Sequence, residues 1–295
     1  MNEILLDATE LGRTDQGRVR LADFHLRLRR GEVVGLLGLN GAGKSTALSL
    51  LSGALAPSRG RVEVLGLNLH TRPSARRHVG LLPERAPLYP QLTVMENLDF
   101  AGRLRGLKGK DLNRSRERVV EQLALGEFRH RLGGRLSRGM AQRVAIAQAL
   151  IHAPDILILD EPTAGLDPAQ AQALRDHLRQ TTDGRATLLA SHILEDMEQL
   201  CHRVLILSEG RIRTEQTLDD NNNLRVRLGN PPETGTDFLT ALPGIRAAED
   251  QGDGWYRLYI DTSPEALAPQ LAVWELQALI PGRFGLSASL VEALA

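Results

Sequence analysis

Gly38-Leu39-Asn40-Gly41-Ala42-Gly43-Lys44-Ser45-Thr46 constrains this chain more than any other segment. It fits the pattern G-x-x-x-x-G-K-[ST], a loop that closes backbone N–H groups around phosphate oxygens. Its flanks agree. Glu32-Val33-Val34-Gly35-Leu36-Leu37 reads as a buried strand, and Thr46-Ala47-Leu48-Ser49-Leu50-Leu51 as the first turns of a helix. The helix N-terminus adds partial positive charge where the phosphates would lie. Lys44 is predicted to reach the β- and γ-phosphates, and the Ser45 hydroxyl to ligate Mg²⁺.

The strand before this loop is one of a series along the chain. Short apolar runs at Ile4–Leu6, Val33–Leu37, Val62–Val64, Val79–Leu82, Ile156–Leu159, Thr187–Ala190 and Val204–Leu207 alternate with amphipathic segments. This predicts an α/β domain with a mainly parallel core sheet over about residues 1–215. The strands stop between Pro83 and about Arg135, where Val94–Leu104 and Leu112–Leu123 read as helices. A helical insertion is expected over about residues 84–153. Asp219-Asp220-Asn221-Asn222-Asn223 reads as the end of a linker, 216–223. Residues 224–295 then read as a small α+β domain: strands Leu224–Leu228, Ile245–Glu249, Trp255–Ile260 and Glu275–Ala278, helices Thr236–Leu242 and Pro264–Val273, and a last helix near Ser287–Leu294.

Bulk properties exclude some classes. Among 295 residues, 36 basic and 36 acidic side chains cancel, so no global field draws the chain to nucleic acid. No apolar run approaches the roughly 20 residues that cross a bilayer. The N-terminal segment has no signal-peptide pattern. Cys201 is the only cysteine, which rules out an internal disulfide and favours a reducing compartment.

The second chemical element is Ile156-Leu157-Ile158-Leu159-Asp160-Glu161-Pro162. An apolar strand ending in acids is what phosphoryl transfer needs opposite a phosphate loop. Asp160 is assigned to Mg²⁺ through water. Glu161, on the other side by strand alternation, is assigned to orient or deprotonate the attacking water. The third element is Leu136-Ser137-Arg138-Gly139-Met140-Ala141-Gln142-Arg143. Ser137 and the N–H groups of Gly139 and Met140 stand at the start of a helix that runs to Ile151, a place that suits an anion and equally an ordinary N-cap.

With these elements in this order, the chain resembles the ATP-binding subunits of ABC transporters, in which a Leu-Ser-Gly-Gly-Gln-like signature precedes a helix and then the Asp-Glu strand. The resemblance covers residues 1 to about 215. It implies a P-loop NTPase ABC ATPase fold with a helical insertion, ATP and Mg²⁺ as ligands, and a homodimer. In that dimer Ser137, Arg138, Gly139 and Met140 act in trans on the γ-phosphate of ATP held by the other copy. Ala164-Gly165-Leu166-Asp167 resembles the dimer-contacting D-loop, with Asp167 its acid, and His192 resembles the switch histidine. Separate transmembrane permease subunits are implied, which would put this chain at the cytoplasmic face of the inner membrane.

Three departures shape the expectation. Glu84, in Leu82-Pro83-Glu84-Arg85, stands where many relatives have the Gln of the Q-loop, and it is a third candidate at the metal. Arg138 and Met140 replace Gly and Gln. This variant, with Gly165-Leu166-Asp167-Pro168-Ala169-Gln170, resembles subunits that serve ABC-2-type exporters of the gliding-motility and copper-processing type. Leu11–Asp23 contains no aromatic residue to stack on adenine, which leaves Arg13, Arg18, Val19 and Arg20 for the base. A soluble ABC ATPase acting on ribosomes or nucleic acid is the alternative, supported by the basic run Arg103–Lys110 alone. No nucleic-acid partner is expected. A P-loop kinase or GTPase fits less well, because of the signature helix and the paired acids.

Overall fold

The computed structural model describes residues 3–182, 184–218, 223–232 and 235–281. The chain divides into two compact units, the first ending at Gln216 and the second starting at Thr217.

Among the described residues, ten strands belong to the first unit, the last running one residue past its boundary: Ile4–Asp15 (β1), Arg18–Arg29 (β2), Val33–Leu37 (β3), Arg59–Val64 (β4), Leu67–Asn68 (β5), Val79–Leu82 (β6), Ile156–Asp160 (β7), Ala186–Ser191 (β8), Arg203–Ser208 (β9) and Arg211–Thr217 (β10). Its α-helices are Lys44–Leu51 (α1), Val94–Leu104 (α2), Gly109–Gln122 (α3), Arg138–Leu150 (α4), Pro168–Thr182 (α5) and Leu194–Leu200 (α6). Two sheets form. One has the order β10-β9-β3-β8-β7-β6, and the other β2-β1-β4-β5. In the larger sheet β3, β6, β7, β8 and β9 pair in parallel. Every residue of β3 and β7 is buried, as expected of parallel strands covered on both faces. In β2 burial alternates from Phe24 onward, the mark of a strand with one wet face. Phe24, Leu48, Leu51, Val62, Ile158 and Leu188 belong to one buried cluster that joins both sheets and α1.

The antiparallel sheet is the main departure from the expected architecture. The strand expected at Ile4–Leu6 runs on to Asp15, and a full partner follows from Arg18 to Arg29. Bulges and the polar turn at Gln16-Gly17 interrupt the apolar alternation there, so no clean period was visible. Phe24 is a core residue.

Helices α2, α3 and α4 fill the stretch between β6 and β7. Thr93 starts α2 with a capping box. Its hydroxyl accepts from the Glu96 N–H, and the Glu96 carboxylate accepts from the Thr93 N–H at 2.7 Å. Fully buried Asn97 accepts from the Tyr89 N–H and donates to the carbonyls of Tyr89, Leu92 and Thr93. One side chain thereby fixes the segment leading into the insertion.

The second unit has the order Asn223–Leu228 (β11), Asp237–Thr240 (α7), Ile245–Gly252 (β12), Trp255–Ile260 (β13), Pro264–Leu271 (α8) and Leu276–Pro281 (β14). This β-α-β-β-α-β order folds into an antiparallel sheet β12-β13-β11-β14. Leu224, Val226, Leu258, Leu267 and Leu271 form its core, with Phe238 edge-on to Trp274. Strand β10 carries through Thr217, so the first two residues of the expected linker complete a strand. The run Asp219–Asn222 and the helix expected near Ser287–Leu294 lie outside the described residues.

Gly80 lets α4 approach β6. A Cβ there would overlap the Ala149 carbonyl oxygen and meet Pro154 Cγ at 2.9 Å. Overpacking of this kind costs about 1–3 kcal/mol. Gly80→Ala is therefore expected to lower the melting temperature of the first unit by several degrees, which thermal unfolding followed by circular dichroism checks.

Candidate active site

Parallel pairing places the ends of β3, β7 and β8 at one edge of the sheet. Leu37 pairs with Ser191, and Asp160 with Ala190. The phosphate loop leaves β3 there, Glu161 leaves β7, and His192 leaves β8. All three line one cavity of ≈ 620 Å³ together with Asn40, Gly41, Gly43, Ser45, Thr46, Glu84, Asp160 and Ala164.

Within the loop, Gly43 has φ 107° and is the residue before α1. A Cβ on it would lie 2.8 Å from the Arg20 carbonyl oxygen, so both conformation and space require glycine. Lys44 is 7 % exposed. Its Nζ donates to the Gly38 carbonyl at 2.6 Å and lies 3.5 Å from Glu161 Oε1. The ammonium is thus already aimed into the cradle of its own loop. Gly38 to Gly43 form the loop that leads into α1, whose first residues are Lys44, Ser45 and Thr46, and Leu39 is exposed on the rim of that loop.

Glu161 is held at both oxygens. Oε1 faces Lys44, and Oε2 accepts from His192 Nδ1 at 2.8 Å. That bond puts the proton on Nδ1, where it orients the ring and leaves Nε2 to act on another group. The separation of Glu161 from Asp160 has a different origin from simple strand alternation. Strand β7 ends at Asp160, and Glu161 turns off it with φ 49°, its N–H donating to the Ala190 carbonyl. A non-glycine residue in this region costs about 1–2 kcal/mol.

Asp160 is 6 % exposed, and its Oδ1 has no hydrogen-bond partner. Burial raises its pKa most. The Ser45 side chain opposes that shift by hydrogen bonding, Glu161 and Glu84 raise it further, and Lys44 lowers it. A buried oxygen with an open lone pair beside a serine hydroxyl, in a field of three carboxylates, fits a hard divalent cation. Among the described residues no cluster of three His, Cys, Asp or Glu side chains is spaced to hold a metal ion alone. Mg²⁺ here would take its remaining ligands from phosphate and water, as it ordinarily does.

The signature does not join this cavity. Ser137 caps α4, its Oγ accepting from the Met140 N–H at 3.3 Å. Gly139 faces Gln170, and the Arg138 guanidinium lies against Gly165. Asp167 Oδ1 accepts from the Gln170 N–H at 2.9 Å and so tethers the start of α5.

The base side of the cavity holds residues that sequence reasoning missed. Glu209 and Gly210, at the turn from β9 to β10, line it with Val19 and Arg20. Gly210 N–H donates to the Ala42 carbonyl, and the Gly210 carbonyl accepts from the Ala22 N–H, so this turn fastens β2 to the phosphate loop. Its signal was present: a Glu-Gly turn after a parallel strand falls at the ligand edge of such a sheet. Arg13 is engaged with Asp15 and the Ala56 carbonyl, and neither it nor Arg18 lines the cavity. No Phe, Tyr or Trp is among the lining residues.

A phosphate loop, a buried aspartate and a glutamate–histidine pair on a parallel sheet define a P-loop nucleotide-binding domain. Residues 21–164 match the family model described as ABC transporter. The ABC transporter ATP-binding protein YhcH of Bacillus subtilis is 35 % identical over 256 residues, which cover 82 % of each chain. A solved structure of the ATP-binding subunit of an ABC transporter aligns with TM-score 0.66 at 34 % identity, over 73 % of this chain and 91 % of that one. A dimeric bacterial ABC transporter cassette aligns with TM-score 0.66 at 25 % identity, over 73 % and 99 %. The chain belongs to the ABC transporter ATP-binding family, whose cassettes bind and hydrolyse ATP.

The raised pKa of Asp160 has a testable sign. Its neutral form suits the folded state, so its contribution to stability is present below the ordinary value of 3.8 and is lost as pH rises through the raised one. At neutral pH the charged group opposes folding. Asp160→Asn is expected to raise the melting temperature of the nucleotide-free protein at pH 8, by an amount that shrinks toward acid pH. The stabilisation conferred by Mg²⁺ with ATP should fall at the same time, and thermal shift with and without both ligands reads the two effects.

Proposed function

We propose that this chain is an ATPase that works as a homodimer and drives a separate membrane permease of the ABC-2 type, in the direction of export. The observation that carries the hydrolytic part is the Glu161 carboxylate, held between Lys44 and His192 beside the phosphate loop. In this reading the loop from Gly38 to Thr46 binds the triphosphate and Lys44 neutralises its β- and γ-oxygens. Glu161 accepts the proton of the attacking water. His192 keeps Glu161 oriented through its Nδ1–H. Ser45 and Asp160 would hold Mg²⁺, with Glu84 close by to sense it. The ion would supply charge neutralisation at the phosphates.

The dimer follows from what the cavity lacks. None of Ser137, Arg138, Gly139 and Met140 lines it, although they form an anion-suited helix start. A second copy supplies them in trans, and Asp167 would meet that copy too. The similarity to a dimeric cassette supports this.

The permease part rests on the surface of the insertion. Tyr89, Phe100 and Leu104 are large apolar side chains left 42 %, 38 % and 71 % exposed. With Leu81, Pro87 and Arg105 they line a groove of ≈ 260 Å³ shortly after Glu84 in the chain. A groove of this size suits one short helix of a partner, and its closeness to Glu84 would let the metal site feel the partner. No helix among the described residues is long and apolar enough to cross a membrane. Beside such a permease, the chain would sit at the cytoplasmic face of the inner membrane. The export direction rests on the Ser137-Arg138-Gly139-Met140 variant of the signature.

Glu161→Gln is expected to lower hydrolysis about 10²–10⁴-fold, the usual range for a lost general base. With ATP and Mg²⁺ it should elute as a dimer in size-exclusion chromatography, and Lys44→Ala should abolish both dimer and hydrolysis. A monomeric Glu161→Gln protein at saturating ATP would contradict the sandwich.

The base side, with only Val19, Arg20, Glu209 and Gly210, predicts weak discrimination between nucleobases. An aromatic stack is worth about 1–3 kcal/mol where one exists. GTP should displace a fluorescent ATP analogue within about tenfold of the concentration at which ATP does.

A further inference from the structure

Asp196 is fully buried, and its carboxylate meets three elements at once. Oδ1 accepts from Arg175 Nε of α5 at 2.8 Å. Oδ2 accepts from the hydroxyls of Thr163 and Ser191, the latter at 3.0 Å. Arg175 is itself 4 % exposed and also reaches Glu195 at 3.3 Å. Thr163 and Ser191 are 1 % and 0 % exposed, so both hydroxyls depend on partners inside the protein. Ser191 Oγ in turn accepts from the Ile193 N–H.

The position of the two hydroxyls gives this network a meaning beyond stability. Thr163 lies two residues after Glu161, and Ser191 immediately precedes His192. Glu161 sits in a left-handed conformation that its own residue type does not favour. His192 is 55 % exposed, so its side chain receives little packing support. The hydrogen bond between them therefore depends on where the two chain segments are held. Asp196 Oδ2 is an atom that touches both segments, and Arg175 holds the other oxygen, Oδ1, so fixing the carboxylate and balancing its charge.

We propose that Asp196, anchored by Arg175, is a positioning residue for ATP hydrolysis: by tying Thr163 to Ser191 it sets the distance between Glu161 and His192. This rests on the reading of Glu161 as the base and His192 as its partner. A misplacement of about 1 Å at a reacting group can cost on the order of 10²-fold in rate with little effect on binding.

Thr163 offers the cleanest test, because its removal leaves the Arg175–Asp196 ion pair intact. In the full chain, Thr163→Val is expected to lower kcat at least tenfold while the KM for ATP changes less than about threefold. Thr163→Ser, which restores the hydroxyl, should recover kcat to within about threefold of the original. Rates are read well below the melting temperature of each variant. An unchanged kcat in Thr163→Val overturns the proposal, as does a rate that Thr163→Ser fails to rescue. If Thr163→Val does not fold, Ser191→Ala removes the other hydroxyl and must show the same split between kcat and KM. Glu161→Gln separates the two levels. Full activity there would overturn the site reading itself, whereas an inactive Glu161→Gln with a normal Thr163→Val overturns the positioning role alone.

Discussion

Parallel pairing of β3, β8 and β7 is the constraint on which the rest of the chemistry depends. Because these strands run the same way in close register, the segments that leave them emerge at one edge, a few ångströms apart. Lys44 lies more than a hundred residues before Glu161, and Glu161 lies 31 before His192, and still the three form one contact set. The apolar faces of these strands do the aligning. Every residue of β3, β7 and β8 is buried, so a slip of register would disrupt close packing on both covered faces.

The antiparallel sheet serves the same edge from another side. Its hairpin brings Val19 and Arg20 to the cavity, and the turn at Gly210 bonds to Ala42 on one side and Ala22 on the other. The wall on which a nucleobase would rest is therefore hydrogen-bonded to the loop that cradles the phosphates. The insertion reaches the site through the Glu84 segment, with Asn97 and the Thr93 capping box holding the chain that follows.

Much of this was legible from the residues. The phosphate loop, the Asp160–Glu161 strand end and the signature helix are local patterns, each written within about ten residues. The strands of the larger sheet were visible because they are short apolar runs. The long β1–β2 hairpin was not, since Gly12, Gly17 and several bulges break its alternation. The Glu209-Gly210 turn left a signal, its place after a parallel strand, but what it packs against depends on a wall that the hairpin builds. Asp196 was equally silent. An acid in a short amphipathic helix reads as a solvated surface residue, and only the fold turns it inward onto Arg175, Thr163 and Ser191.

The left-handed backbone at Glu161 also bears on how this protein would respond to engineering. Glycine or asparagine would occupy that conformation with less strain, and an asparagine in place of Asp160 would spare the interior a charge. A search guided by thermostability alone would thus be drawn to the two neighbouring positions where the acid groups matter most. If these acids act as proposed, robustness to heat and the capacity for turnover compete at the tip of one strand.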